Sequence, residues 1–270
     1  MVFLDRAPCG PWCPIWSALG GRGAYTRAQW TQQAPAFADD ARLIPRAVLS
    51  PNSDSNFLWK HMWFHTTCER ESPLLRDFRA FMLPLLDPTM CGGGSCEAPA
   101  GTPRAITLIE RKPRHGKSGK LRNIRNFAAV VAAVTAAFPR EKVQAVDFAA
   151  LEWAAQYRVA RTTKLLIGMH GGGLTWSMFL PRDAGIIELN PAPVQQGKCR
   201  PFCTETFCLE NMAHWIGLRH IGWRTERTDH DMIPLGGHLV DPAKMVRLVG
   251  EMLAGINGGG GGGGGGAVGA

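Results

Sequence analysis

Lys164-Leu165-Leu166-Ile167-Gly168-Met169-His170-Gly171-Gly172-Gly173-Leu174-Thr175 passes from a short apolar run through three consecutive glycines into a helix start. The apolar run reads as a buried strand. Glycines after it permit positive φ and let backbone N–H groups approach a ligand, while the helix N-terminus carries partial positive charge. A diphosphate suits such a turn. So does a tight connection that needs glycine only for packing, and the glycines alone leave both open. His170 adds a side-chain donor at the same mouth, although a lone histidine is as compatible with a structural role.

Outward from that turn the pattern is regular. Strands are expected at 105–109, 143–146, 164–168, 185–189 and 219–223, and helices at 123–138, 149–160, 173–179, 205–216 and 241–254. Short apolar runs alternating with helical periods imply crossover connections and a parallel sheet covered on both faces. Such sheets take ligands outside the carboxyl ends of their strands, so residues just after strands are the ones to weigh.

After the first of these strands comes a basic loop: Arg111, Lys112, Arg114, His115, Lys117, Lys120, Arg122 and Arg125, with Glu110 almost its only acid. Arginine offers forked donors matched to phosphate oxygens, and a loop at the carboxyl edge would aim some of them at the glycine turn. Gly116-Lys117-Ser118 mimics the end of a P-loop. The glycine required five positions earlier is Arg111, which excludes that motif. Glu188 ends the strand after the glycine turn, where a carboxylate can accept bonds from ribose hydroxyls.

Residues 1–90 carry candidate strands at 1–5 and 46–49 and an amphipathic helix at 73–83 with apolar positions 74, 75, 78, 81 and 82. The glycine-rich stretch 91–99 then reads as a linker or loop. This divides the chain into a partial first lobe over 1–100, a second lobe over 101–257 and a flexible, disordered glycine-rich tail over 258–270. No run approaches the length needed to span a bilayer, and the first residues have neither the length nor the basic flank of a signal peptide. The abrupt strand-like start suggests an incomplete chain.

A formal net charge of +8 suits an anionic partner. Nucleic-acid binding rests on that charge alone, and the absence of G-x-G-x-x-G after the first strand of the repeat argues against a nicotinamide cofactor. The eight cysteines form an even set with close local spacings, as in Cys91-x4-Cys96 and Cys199-x3-Cys203-x4-Cys208. That favours paired cysteines in an oxidising compartment, the alternative being buried free thiols in a cytosolic protein, since spacing alone does not give the pairing.

Taken together, the stretch from Ile109 to Trp223 resembles glycosyltransferase family 61, which includes lumenal O-linked N-acetylglucosamine transferases and plant xylan-decorating enzymes. The residues that carry the resemblance are Arg111; Arg122-x-Ile124-x-Asn126; Val146-Asp147-Phe148; Gln156; Ile167 through Thr175; Phe179-Leu180-Pro181; and Ile187-Glu188-Leu189. Ser72 through Arg79 also resembles the family's N-terminal lobe. Gly172 stands where the family usually has alanine. Acids that commonly follow the Asn126 position and precede the Gln156 position are replaced by apolar residues, Ala155 in the second case.

The resemblance implies an α/β, GT-B-like fold of two Rossmann-like lobes, with a parallel sheet in the C-terminal lobe. It implies an inverting enzyme that moves a sugar from a nucleotide sugar, a UDP-sugar above others, to a hydroxyl of a protein or polysaccharide. The implied donor site comprises Arg111, Arg122, Asn126, Asp147, His170, Gly171, Gly172, Gly173, Leu174, Thr175 and Glu188. The catalytic base is not legible; Asp5, Asp54 and His170 are the candidates. No metal is expected, the weak alternative being Asp229 and Asp231, whose Asp-x-Asp form some glycosyltransferases use to hold a divalent ion. The implied setting is the Golgi or endoplasmic reticulum lumen, with membrane attachment only through an upstream anchor not in this chain. The replaced acids keep a second reading alive, that of a catalytically inactive nucleotide-sugar- or glycan-binding relative.

Overall fold

The computed structural model describes residues 2–3, 25–26, 71–91, 96, 104–112, 123–190, 208–224 and 237–258. The expected strand at 46–49 lies outside them, as do Asp5, Asp54, Arg122, Asp229, Asp231 and, of the cysteine cluster, Cys199 and Cys203. The chain divides into two compact units, one of Met1–Lys60 with Asp77–Cys96, the other of His61–Arg76 with Glu97–Ala270.

In the first unit, β1 (Val2–Phe3) pairs in parallel with β2 (Tyr25–Thr26). Helix α1 (Pro73–Leu86) begins with a proline, whose missing N–H is one the first turn cannot use anyway. It runs past the expected end at Leu83 and through Pro84. Its buried residues are Leu75, Arg79, Met82 and Leu83, a stripe at helical spacing. Phe81, expected on that stripe, stands off it and is 56% exposed. Beyond α1, Asp87 caps a short 3₁₀ turn, Pro88–Met90, and Cys91 is disulfide-bonded to Cys96.

The second unit holds a five-stranded parallel sheet. Its strands are β3 (Ala105–Ile109), β4 (Val143–Val146), β5 (Thr163–Met169), β6 (Gly185–Asn190) and β7 (Arg219–Arg224), in the spatial order β4-β3-β5-β6-β7. All lie within a residue or so of the expected strands, and the α/β Rossmann-like class is what the structure has. Helices α2 (Phe127–Ala137), α3 (Trp153–Arg161), α4 (Cys208–Trp215) and α5 (Pro242–Gly258) supply the layers.

Alternation along the strands divides the core in two. Ile106, Leu108, Leu165, Ile167, Ile187, Leu189 and Trp223 pack against Val130 and Val134 of α2 and Met245, Val249 and Met252 of α5. Residues of opposite parity, including Thr107, Leu166, Gly168, Ile186 and Glu188, face the other layer.

Three helix expectations need correction. Residues 123–126 do not join α2, because Ile124 bridges in parallel to His238 and the Arg125 N–H donates to the His238 carbonyl. The expected helix 149–160 is a 3₁₀ turn, Phe148–Ala150, followed by α3: the Asp147 carboxylate caps the start of the turn by accepting from the Ala149 N–H, and Leu151 and Glu152, both extended, separate it from α3. The segment 172–179 is a 3₁₀ helix rather than an α-helix. Its Trp176 packs against the rings of Phe148 and Trp153, and Trp153 stacks in turn on Tyr157.

Candidate functional site

The chain runs from β3 to β4 on one side, then crosses β3 to place β5 on the other. The direction of winding therefore reverses between β3 and β5, and the crevice outside their carboxyl ends is where open α/β sheets take ligands. Arg111 leaves β3 at this point and His170-Gly171-Gly172-Gly173 leaves β5. The Arg111 guanidinium donates to the His170 carbonyl at 3.5 Å, so the basic stem and the glycine turn meet at the crevice.

Two glycines are required by different physics. A Cβ on Gly168 would stand 3.1 Å from Ile109 Cβ, so β5 and β3 can approach here only without a side chain. Gly171 has φ 143° and ψ −174°, a region essentially closed to other residues. By contrast, a Cβ on Gly172 would have nothing within 4 Å. Leu174 is fully buried beneath the turn, its N–H donating to the Gly171 carbonyl at 2.9 Å, and the Thr175 hydroxyl donates to the Gly172 carbonyl at 2.6 Å.

Beside the turn, a cleft of about 280 Å³ is lined by Glu110, Arg111, Lys112, Asn123, Arg125 and Phe127 among others. Three of these are cationic, and the N-terminal end of α2 opens beside them. The Asn123 Oδ1 is buried without a hydrogen-bond partner among the described residues, a spare acceptor at the margin of the cleft.

Glu188 is not placed as a strand-end acid facing ribose. Its side chain is 1% exposed. The His170 Nδ1–H donates to its Oε1 at 2.5 Å and the His220 Nε2–H to its Oε2 at 2.9 Å, so both oxygens are engaged. Burial alone would push this carboxyl up, but hydrogen bonds and charge from the two imidazoles more than offset it and hold the group below the usual glutamate value. The bond to Nδ1 fixes the ring of His170 with its other nitrogen, Nε2, turned away from Glu188. The His170 N–H also donates to the Leu189 carbonyl at 2.8 Å.

Asn126 and Asp147 make backbone contacts. The Asn126 side chain brackets Val240, its Nδ2 donating to the Val240 carbonyl at 2.7 Å and its Oδ1 accepting from the Val240 N–H at 3.1 Å. That bracket ties the start of α2 to the segment before α5. Asp147 Oδ1 accepts from the Ala149 N–H at 3.1 Å, at the carboxyl end of β4. Gln156 likewise accepts from Trp176 Nε1 at 2.9 Å and donates to the Leu151 carbonyl at 2.9 Å. The structure thus brings together Arg111, His170, the three glycines and Glu188. It adds two residues that the reading of the sequence missed, Asn123 and His220.

The family model described as Glycosyltransferase 61 matches residues 32–187, more than half of the chain. Over 81 residues, 30% of this chain and 14% of the relative, the sequence is 36% identical to the EGF domain-specific O-linked N-acetylglucosamine transferase of Drosophila melanogaster. Over 132 residues, 48% of this chain and 22% of the relative, it is 31% identical to the Bos taurus protein of the same description. The matched stretch is therefore less than a quarter of either relative's length. A solved oxidoreductase from Corynebacterium diphtheriae overlays with a TM-score of 0.32 and 16% identity, covering 58% of this chain and 98% of that one, a likeness too loose to carry an argument. The match of the family model, spanning β3 to β6 and the glycine turn between them, establishes that the chain belongs to glycosyltransferase family 61.

Proposed function

We propose that the second unit holds the donor of an inverting glycosyltransferase, a UDP-sugar whose sugar passes to a hydroxyl of a protein or polysaccharide. The observation that carries this reading is the meeting of Arg111 with the glycine turn at the switch point of the sheet. A diphosphate lying there would receive a forked guanidinium and the backbone N–H groups of Gly171 to Gly173, while the His170 ring, its Nδ1–H held by Glu188, offers Nε2 as an acceptor for a hydroxyl of the donor. In inversion the acceptor hydroxyl attacks the anomeric carbon opposite the diphosphate. The C–O bond to the diphosphate breaks, and its electron pair stays with the leaving group. Cationic and N–H donors already in place stabilise that growing charge, which is the part of catalysis this geometry can supply. We assign no base; His170 is the one candidate within the described residues.

Glu188 takes a different role from the ribose contact expected of it: it orients His170. Arg122, outside the described residues, is retained as a second diphosphate ligand. Because cations and N–H groups neutralise the leaving group, transfer is proposed to survive EDTA, and the Asp229–Asp231 pair is given no part. The relatives' description makes UDP-N-acetylglucosamine the first donor to try. A lumenal, disulfide-permissive setting accords with the bridged Cys91 and Cys96.

A thermal-shift series with UDP-, GDP- and CMP-sugars tests the donor assignment, since ligand at about 100 times its Kd stabilises by about 2.7 kcal/mol. Stabilisation by UDP-sugars alone is expected. No shift with any nucleotide sugar would overturn the assignment. Binding without turnover of the bound sugar would select the inactive relative, the reading that Ala155 and the apolar Phe127 after Asn126 favour.

A further inference from the structure

The buried hydrogen-bond chain ends on His220 of β7, which lies outside both the glycine turn and the stretch that the family model matches. Strand register explains how it gets there. Ile186 pairs with His220 and Glu188 with Gly222, so His220 and Glu188 share a sheet face and stand diagonally across β6 and β7. Gly168 pairs with Glu188, which puts His170, two residues on, toward the same face. Three adjacent strands thus deliver two imidazoles to one carboxylate among buried apolar neighbours such as Leu166 and Ile186.

A carboxylate with so little exposure needs both oxygens bonded. His170 satisfies one of them and His220 the other. The main chain of His170 is already held, its N–H on the Leu189 carbonyl and its carbonyl by Arg111, so the ring's orientation is what remains for Glu188 to set. If the second donor is removed, the carboxylate can rotate, or take up a proton and present an O–H. In either case it no longer dictates which nitrogen of His170 carries hydrogen.

We propose that His220 is a positioning residue, which acts through Glu188 to fix the ring orientation and Nδ1–H tautomer of His170, leaving Nε2 to accept from a ribose hydroxyl, and thereby sets the affinity of the site for a nucleoside diphosphate. The consequence for affinity rests on the donor-site reading above; the hydrogen-bond chain does not. An indirect partner of this kind acts on a binding group as the outer partners of metal-bound histidines act on their ligands, and its loss there weakens binding by about 10- to 100-fold.

The experiment uses the full chain with ¹⁵N-labelled histidine, long-range ¹H–¹⁵N correlation to identify tautomers, and calorimetry with UDP. In the wild type, His170 is expected to carry hydrogen on Nδ1 and His220 on Nε2. His220→Phe should abolish the single tautomer of His170 and weaken UDP binding by about tenfold. His220→Gln, whose amide can still donate to Glu188, should keep the tautomer and bind within about threefold of the wild type. If His220→Phe does not fold, His220→Asn, whose shorter amide does not span the gap, replaces it with the same expected outcome. Wild-type UDP affinity in a folded variant whose His170 tautomer is altered overturns the positioning role. An unaltered His170 tautomer in that variant overturns it too, as does a wild type in which His170 carries hydrogen on Nε2 alone. Expected tautomers in a wild type that binds no UDP refute the donor-site reading and, with it, the consequence for affinity.

Discussion

Alanine at Gly171 and alanine at Gly172, one residue apart, should have unlike effects. Gly171 occupies φ 143°, ψ −174°, where a Cβ collides with its own backbone, and holding an L-residue there costs on the order of 1–3 kcal/mol. At Gly172 the Cβ would meet open space and no unusual φ is imposed, so alanine should shift stability by less than about 1 kcal/mol, and in the stabilising direction, because it narrows the unfolded ensemble. For a unit of this size, 1 kcal/mol corresponds to roughly 2–4 °C in Tm. Gly171→Ala should therefore melt several degrees below the wild type in scanning calorimetry, while Gly172→Ala melts at or slightly above it.

UDP titration of the same two variants separates stability from binding. If the Gly171 to Gly173 N–H groups hold the diphosphate, relaxing φ at Gly171 reorients them and weakens UDP affinity, whereas Gly172→Ala leaves it intact. The family's usual alanine at the Gly172 position agrees with the open space found there. Equal melting temperatures for the two variants would show that Gly171 does not need its positive φ. Equal UDP affinities would remove the turn from the donor site even if the stabilities differed.

Glu188 sets an acid limb. Its folded carboxyl lies below the ordinary value, so the stability it contributes is fully present above the unfolded pKa of about 4.3 and is lost as pH falls through the folded value. Urea midpoints should fall further from about pH 6 to about pH 3 in the wild type than in Glu188→Gln, and parallel curves would refute the assignment. Arg111→Ala should weaken UDP binding by about 1–3 kcal/mol in calorimetry, through loss of a charge-assisted bond to phosphate, without lowering Tm by more than a degree or two. Unchanged affinity would take Arg111 out of the site. Asn126→Ala removes both bonds to Val240 and leaves its N–H and carbonyl unsatisfied, so a loss of about 1–3 kcal/mol of stability is expected in urea unfolding. Weakened UDP binding at unchanged stability would instead make Asn126 a ligand contact.

What could be read in the sequence follows the range of the forces involved. β5 and β6 are runs buried on both faces, so their strands show as short continuous apolar stretches such as 164–168 and 185–189, and the parallel sheet follows from their alternation with helices. The glycine turn is equally local, and its place after a strand suffices to nominate it. The helical errors have causes that apolar periodicity does not register: a local side-chain cap at Asp147, and a backbone bridge to the distant His238 that takes Ile124 out of α2.

The roles of Glu188, Asn126 and His220 depend on partners 18 to 114 residues away, and spacing is blind to them. Glu188 illustrates the limit. Its position at a strand end suggests an acid facing ligand, but parity puts it under the edge, on the face it shares with His170, where burial demands two donors. One signal was available: in Arg219-His220-Ile221-Gly222-Trp223, the apolar core positions are 221 and 223, so a histidine falls on the face that already carries the Glu188 carboxylate from the neighbouring strand. Reading it requires the register between β6 and β7, which arises only when the sheet assembles. Residues that tune the site through other residues are therefore the ones for which the sequence is silent and the structure is needed.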